Sequence, residues 1–133
     1  MTNRGTGFEG KLKKALIEQG LDVFHLGQNE RADLLVVGKR TRLVECKVKH
    51  VKSALDPYYF SKNAKQHQKL IELSKTNQNL SIYYAIDFYF ASDKKHEIAF
   101  FFLPHIIDKK GVSLFDNHWN LQEFAVHVRA LNV

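Results

Sequence analysis

Apolar positions at Phe8, Leu12, Ala15 and Leu16 recur at helical spacing, which predicts a first helix over Phe8–Gln19. Gly20 follows, where a left-handed residue commonly ends a helix. Leu21–Leu26 reads as a short strand, and beyond the polar loop Gly27–Arg31 the run Asp33–Val37 reads as a second, stopped at Gly38. The turn-like Gly38–Thr41 leads into Arg42–Val48, so these two runs are expected to pair as an antiparallel hairpin. Val51–Lys62 is irregular and basic, interrupted by Asp56-Pro57, and Asn63–Lys75 then has the spacing of a helix that buries Ala64, His67, Leu70 and Ile71. Leu80–Phe90 and Glu97–Leu103 form a second pair of strands, rich in Tyr, Phe and Ile, joined by the turn Ser92–Lys95. Asn120, with Glu123 three positions on, makes a capping box for a last helix through Leu131, whose inward face is Leu121, Phe124, Ala125 and Val128. The order α, β, β, β, α, β, β, α predicts an α/β fold, with a central mixed sheet of about five strands flanked by helices.

Composition narrows this picture. A chain of 133 residues, 44% of them hydrophobic, suits one domain spanning residues 1–133 around one core. Lys and Arg total 20 against 14 Asp and Glu, and the net charge of +6 favours a polyanionic partner. The lone Cys46 excludes an intrachain disulfide and any multi-cysteine zinc site, which fits an intracellular protein. The polar N-terminus has no apolar signal core, and the most hydrophobic run, Ile98–Ile107, is broken by Pro104 and His105 and is too short to span a membrane. A soluble, cytoplasmic protein is therefore expected, with a phage, plasmid or cellular origin equally compatible. No phosphate-binding Gly-rich loop supports a nucleotide cofactor. The seven histidines show no paired zinc-ligand spacing. Phe100-Phe101-Phe102, facing Tyr83-Tyr84 and Phe88-Tyr89-Phe90, puts aromatics on both faces of a hairpin. One small core does not readily absorb so many, and a homodimer interface would use the surplus.

The chemistry concentrates on the first hairpin. Antiparallel pairing brings Asp33 and Glu45 toward the same end of the sheet. Alternation puts Leu43, Glu45 and Lys47 on one face and Val44, Cys46 and Val48 on the other. A carboxylate and an ammonium side by side among valines admit two readings. In one they are a solvent-exposed ion pair worth little energetically. In the other Asp33, Glu45 and the backbone carbonyl of Cys46 offer oxygen ligands to Mg²⁺, with Mn²⁺ as a substitute, beside an amine suited to phosphodiester hydrolysis. The Cys46 thiol points to the opposite face and reads as a buried strand cysteine. Lys49 and Lys52, then Lys62, Lys65 and Lys69, flank this cluster and suit phosphate tracking along DNA. Tyr58, Tyr59 and Phe60 lie between them, placed either to stack on exposed bases or to pack on the sheet.

Gly7-Phe8-Glu9, then Ala32-Asp33-Leu34-Leu35-Val36-Val37, then Leu43-Val44-Glu45-Cys46-Lys47 resembles the PD-(D/E)XK nuclease superfamily. Within it the likeness is to Holliday-junction-resolving enzymes of the archaeal Hjc-like and bacterial RecU-like type. The helix Lys65-Gln66-His67-Gln68-Lys69-Leu70 and the closing step Phe102-Leu103-Pro104 extend it over about residues 7–107. The resemblance implies a restriction-endonuclease-like domain acting as an Mg²⁺-dependent, dimeric endonuclease on branched DNA, above all four-way junctions, in recombination or repair. It implies 5′-phosphate and 3′-hydroxyl products. Asp33 and Glu45 would bind metal, Lys47 would be the catalytic lysine, and Glu9 would complete the site from the first helix. Gln66 or Gln68 would lie near the attacking water or the phosphate, Gln66 by the register of Leu70 and Ile71, Gln68 by the His-Gln dipeptide of the bacterial branch; Gln68 is otherwise a DNA contact. This chain departs from the pattern in having Ala32 where proline is usual and in lacking the long stalk that bacterial resolvases insert between the first two strands. A restriction-type or phage nuclease acting on other DNA, and a DNA-binding protein that keeps the fold without catalysis, remain the alternatives.

Overall fold

The computed structural model describes residues 4–27 and 32–131. Helix α1 (Arg4–Glu18) stops where expected: Gly20 adopts φ +88°, and the N–H groups of Gly20 and Leu21 donate to the carbonyls of Ile17 and Leu16 at 2.9 and 3.2 Å. Strands β1 (Asp22–His25), β2 (Leu34–Val37) and β3 (Thr41–Val51) follow. Of the loop expected at Gly27–Arg31, residues 28–31 lie outside the described residues. β1 pairs antiparallel with β2, and β2 with β3, giving the expected hairpin with Leu35 opposite Leu43.

The segment after β3 is more ordered than its composition suggests. It holds the short strand β4 (Tyr58–Tyr59) and a 3₁₀ turn (Phe60–Asn63) before helix α2 (Ala64–Thr76). Strands β5 (Leu80–Phe90) and β6 (Lys95–Phe102) form the second antiparallel pair. Another 3₁₀ turn (Leu103–His105), strand β7 (Gly111–Val112) and helix α3 (Leu121–Leu131) complete the chain. β4 and β7 pair as a separate two-stranded ribbon that was not expected. The capping box is present, Asn120 and Glu123 exchanging backbone-to-side-chain bonds of 2.8 Å each.

The two hairpins are one sheet, ordered β1-β2-β3-β5-β6. They join along a parallel β3–β5 seam running from Thr41 beside Leu80 to Val51 beside Phe90. The seam is parallel because α2 carries the chain back across the sheet before β5 begins. Alternation along the strands then divides the interior in two. Val44, Cys46, Tyr83, Ala85 and Phe100 pack under α1 and α3 against Phe8, Leu12, Leu16, Phe124 and Val128. On the opposite face Ile82, Tyr84, Ile86 and Phe101 pack under α2 with Tyr58, Phe60, Leu70 and Ile71.

Two layers of core bear on three of the expectations. Of the aromatics expected at a dimer interface, Tyr83, Tyr84, Phe88, Phe100 and Phe101 are buried within the chain, Phe100 stacking on Phe124 at 4.1 Å, while Tyr89, Phe90 and Phe102 are only partly buried. Tyr58 and Phe60 pack on the sheet, leaving Tyr59 as the exposed ring of that trio. On α2, Leu70 and Ile71 are buried as expected, but Ala64 is exposed and His67 only half-buried. Among the described residues no helix is long and apolar enough to cross a membrane.

Candidate active site

Asp33 sits one residue before β2 rather than within it. Its backbone N–H donates to the Val44 carbonyl at 3.1 Å, and the N–H of Cys46 donates to its Oδ2 at 2.8 Å. The Asp33 carboxylate is therefore pinned to the peptide between Glu45 and Lys47, a tie that the antiparallel register alone does not supply. Glu45 is 1% exposed, and its Oε2 lies 3.2 Å from the Lys47 ammonium, itself largely covered. This rules out the reading of Glu45 and Lys47 as a solvent-exposed pair. Lys47 also donates to Gln66 Oε1 at 3.1 Å, so Gln66 rather than Gln68 reaches the cluster, and Gln68 is exposed on the outer side of α2. Glu9 enters from α1, close enough to Asp33 to share a hydrogen bond with it.

The electrostatics follow from crowding three carboxyl groups into one place. Burial, then the hydrogen bond and charge of Asp33, push Glu45 up to about 8, against the opposing pull of Lys47. Glu9 is raised to about 7, by burial first and the charge of Asp33 second. Burial also pushes the Cys46 thiol well up, in keeping with a strand cysteine that is 4% exposed and chemically inert.

Behind Glu45 stands an aromatic wall that sequence reasoning missed. Tyr84 is buried and its hydroxyl is pushed above its ordinary range by burial and by the charge of Glu45. It lies 2.8 Å from His67 Nδ1, and the His67 ring stacks on Phe60 at 4.2 Å. Burial lowers His67, which favours the neutral ring. The available signal was the place of His67 next to Gln66, on the side of α2 that turns toward the sheet.

The residues fit a divalent cation. Glu45 Oε1 is buried without a hydrogen-bond partner, an orphaned acceptor next to a second carboxylate. Among the described residues no group of three or more His, Cys, Asp or Glu side chains is placed to hold a metal ion. Two carboxylates and the Cys46 carbonyl would instead leave an open, oxygen-only site of the kind magnesium accepts. The basic residues lie outside this centre: Lys49 is half-buried, Lys52, Lys62, Lys65 and Lys69 are exposed, and Asp56 braces the loop by accepting the N–H groups of Lys52 and Ser53 at 2.7 and 3.3 Å.

The fold built around these residues has a counterpart among solved structures. The structure of Archaeoglobus fulgidus Hjc, a Holliday junction resolvase from an archaeal hyperthermophile, superposes with a TM-score of 0.69 over 93% of this chain and 97% of that one, at 17% sequence identity. No family model and no curated protein matches the sequence. The likeness is thus one of architecture, carried by the mixed five-stranded sheet and its flanking helices.

Proposed function

We propose that this protein is a divalent-metal-dependent DNA endonuclease selective for branched DNA, with four-way junctions as its principal substrate. The observation that carries the reading is the pinning of Asp33 to the Cys46 N–H at 2.8 Å, which gathers two carboxylates and the Lys47 amine at one end of the hairpin. The resolvase-like fold supports the same reading. A bound Mg²⁺ or Mn²⁺, held by Asp33, Glu45 and the Cys46 carbonyl, would neutralise charge on the phosphate and acidify a water.

The chain's own groups do the rest. Lys47, fixed between Glu45 and Gln66, orients the attacking water and offsets negative charge developing on the phosphate oxygens. Gln66 holds the amine in place, and Glu9 takes up or returns a proton at the edge of the site, its raised pKa of about 7 suiting that role near neutrality. Lys49, Lys52, Lys62, Lys65 and Lys69, with Gln68, track the flanking phosphates. Cutting two symmetric strands of a junction calls for two such sites, so a homodimer is the proposed working form.

The test is cleavage of a synthetic four-way junction beside a linear duplex of identical sequence, with Mg²⁺. Selective cutting that Asp33→Asn and Lys47→Ala each reduce by at least about two orders of magnitude supports the proposal. Equal cutting of both DNAs would favour a restriction-type nuclease, and binding without cutting would favour a non-catalytic DNA-binding protein.

A further inference from the structure

A second cluster of polar side chains lies farther along the same strands. At the far end of the β3–β5 seam, His50 lies beside Tyr89, and Tyr89 lies opposite His96 on β6. Three rings therefore stand side by side across three neighbouring strands. Tyr89 stacks on His96 with centroids 4.4 Å apart and meets His50 edge-on at 5.1 Å. One rung deeper is Asp87, 6% exposed, whose two carboxylate oxygens accept from His96 Nδ1 at 2.8 and 3.0 Å. With Lys11 and Phe8 of α1 these groups line a cavity of about 380 Å³.

Two of its lining residues, Phe8 and Val48, adjoin Glu9 and Lys47 in the chain, and because Val48 alternates with Lys47 the cavity opens on the opposite face of β3, beyond Val44, where the pairing of β3 with β2 ends. Its chemistry is not that of a phosphate site, since the buried carboxylate at its back disfavours an anion. That carboxylate can accept a further N–H beside the one His96 supplies, the rings offer a flat π-face, and the volume falls within the roughly 300–1,000 Å³ of small-ligand pockets. Lys11 at the rim is placed for a flanking phosphate.

Resting on the nuclease reading above, we infer that this cavity receives an unstacked nucleobase of the DNA held at the active site. Bases bearing an exocyclic amino group are preferred, because Asp87 accepts from such a group, as carboxylates do when they read base edges. The pocket would make a branch point, where bases unstack at low cost, a better substrate than a continuous duplex.

The experiment uses the full chain and junctions that carry fluorescent aminopurine next to the branch, or differ only in the natural base there. Binding is followed by aminopurine emission without divalent ions, and cleavage separately with Mg²⁺. The expected result is a saturable emission change, weakened about tenfold in His50→Ala and Tyr89→Leu. Discrimination against thymine should be lost in Asp87→Asn. His50 is exposed, so its variant folds even if a change at Asp87 does not, and thermal melting checks each protein. If all three variants bind and cut with native base preference, the pocket is overturned while the nuclease stands. If the native chain cuts no DNA, the nuclease reading falls and emission alone decides the pocket: a saturable, Tyr89-dependent signal upholds it, and a flat titration ends it.

Discussion

Glu45 is held where a carboxylate is hardest to keep charged, and this dictates how the protein responds to pH. Its pKa rises from an ordinary 4.5 to about 8 in the fold, so the folded chain retains a proton that the unfolded chain releases. The stability linked to that proton is fully present below about 4.5 and is lost as pH rises through about 8. Glu9 acts in the same direction up to about 7. The metal-free protein should accordingly melt at progressively lower temperature from mildly acidic to mildly alkaline buffer, and Glu45→Gln should flatten most of that decline. Mg²⁺ or Mn²⁺ added at alkaline pH should raise the melting temperature of the native chain and leave the variant unchanged, because a cation replaces the proton between the carboxylates. Arg42 offers a second test at this scale. It is fully buried, its Nη1 donates to the Arg40 carbonyl at 2.9 Å, and its Nε and Nη2 have no hydrogen-bond partner. Arg42→Met removes a buried charge that no described carboxylate pairs with, and should stabilise by about 1–3 kcal/mol, read as a rise of several degrees in melting temperature. Much of the candidate site was legible at this scale, since strand alternation alone puts Glu45 and Lys47 on one face and the inert Cys46 on the other. The choice between Gln66 and Gln68 was not, because it turns on the phase of α2. Hydrophobic spacing misjudged that phase at Ala64, which is exposed.

Elements were legible in proportion to their length. Strands β3 and β5, each 11 residues long, and α3 with its capping box announce themselves by periodicity and a named end signal. The ribbon β4–β7 does not, since two residues carry no period and its partners lie more than fifty positions apart in the chain. Yet this ribbon braces the entry to α2, because β4 runs directly into the 3₁₀ turn that carries Phe60, and Phe60 stacks on His67 behind the site. Gly111 is its weak point. A Cβ there would meet the Tyr58 carbonyl at 2.6 Å, a backbone atom that cannot swing aside. Gly111→Ala should therefore cost about 1–3 kcal/mol by denaturant melting. It should also slow cleavage more than it weakens DNA binding, since what shifts is the support of Gln66 and Lys47 rather than the exposed lysines. Asn120→Ala, which removes only the cap of α3, should cost about 1 kcal/mol and leave the ratio of cleavage to binding unchanged. The pair separates a support of the site from a general loss of stability.

For the molecule as a whole, the sequence predicted a mixed sheet of the right size but not the parallel seam that unites its two hairpins. Nothing local to β3 or β5 encodes their pairing; it follows from a helix crossing between them. The electrostatic layout follows the chain: Glu45 and Lys47 lie on β3 with Lys49, and the other basic residues follow in the loop after β3, the 3₁₀ turn and α2. The chain carries a net charge of +6, and the lysines of this stretch beyond Lys49 are exposed. If Lys49, Lys52, Lys62, Lys65 and Lys69 each neutralise one phosphate, the logarithm of the junction-binding constant should fall against the logarithm of salt concentration with a slope of about −4 to −5. Replacing Lys65 or Lys69 by alanine should reduce that slope by about one, to the same extent on every DNA sequence, as a backbone contact requires. Glu45→Gln should leave the slope where it is in metal-free buffer, because its carboxyl is already protonated near neutrality and gains no charge by the change. A slope near zero, or one insensitive to both lysines, would place the DNA on another face of the molecule and remove the reason for assigning these residues to its path.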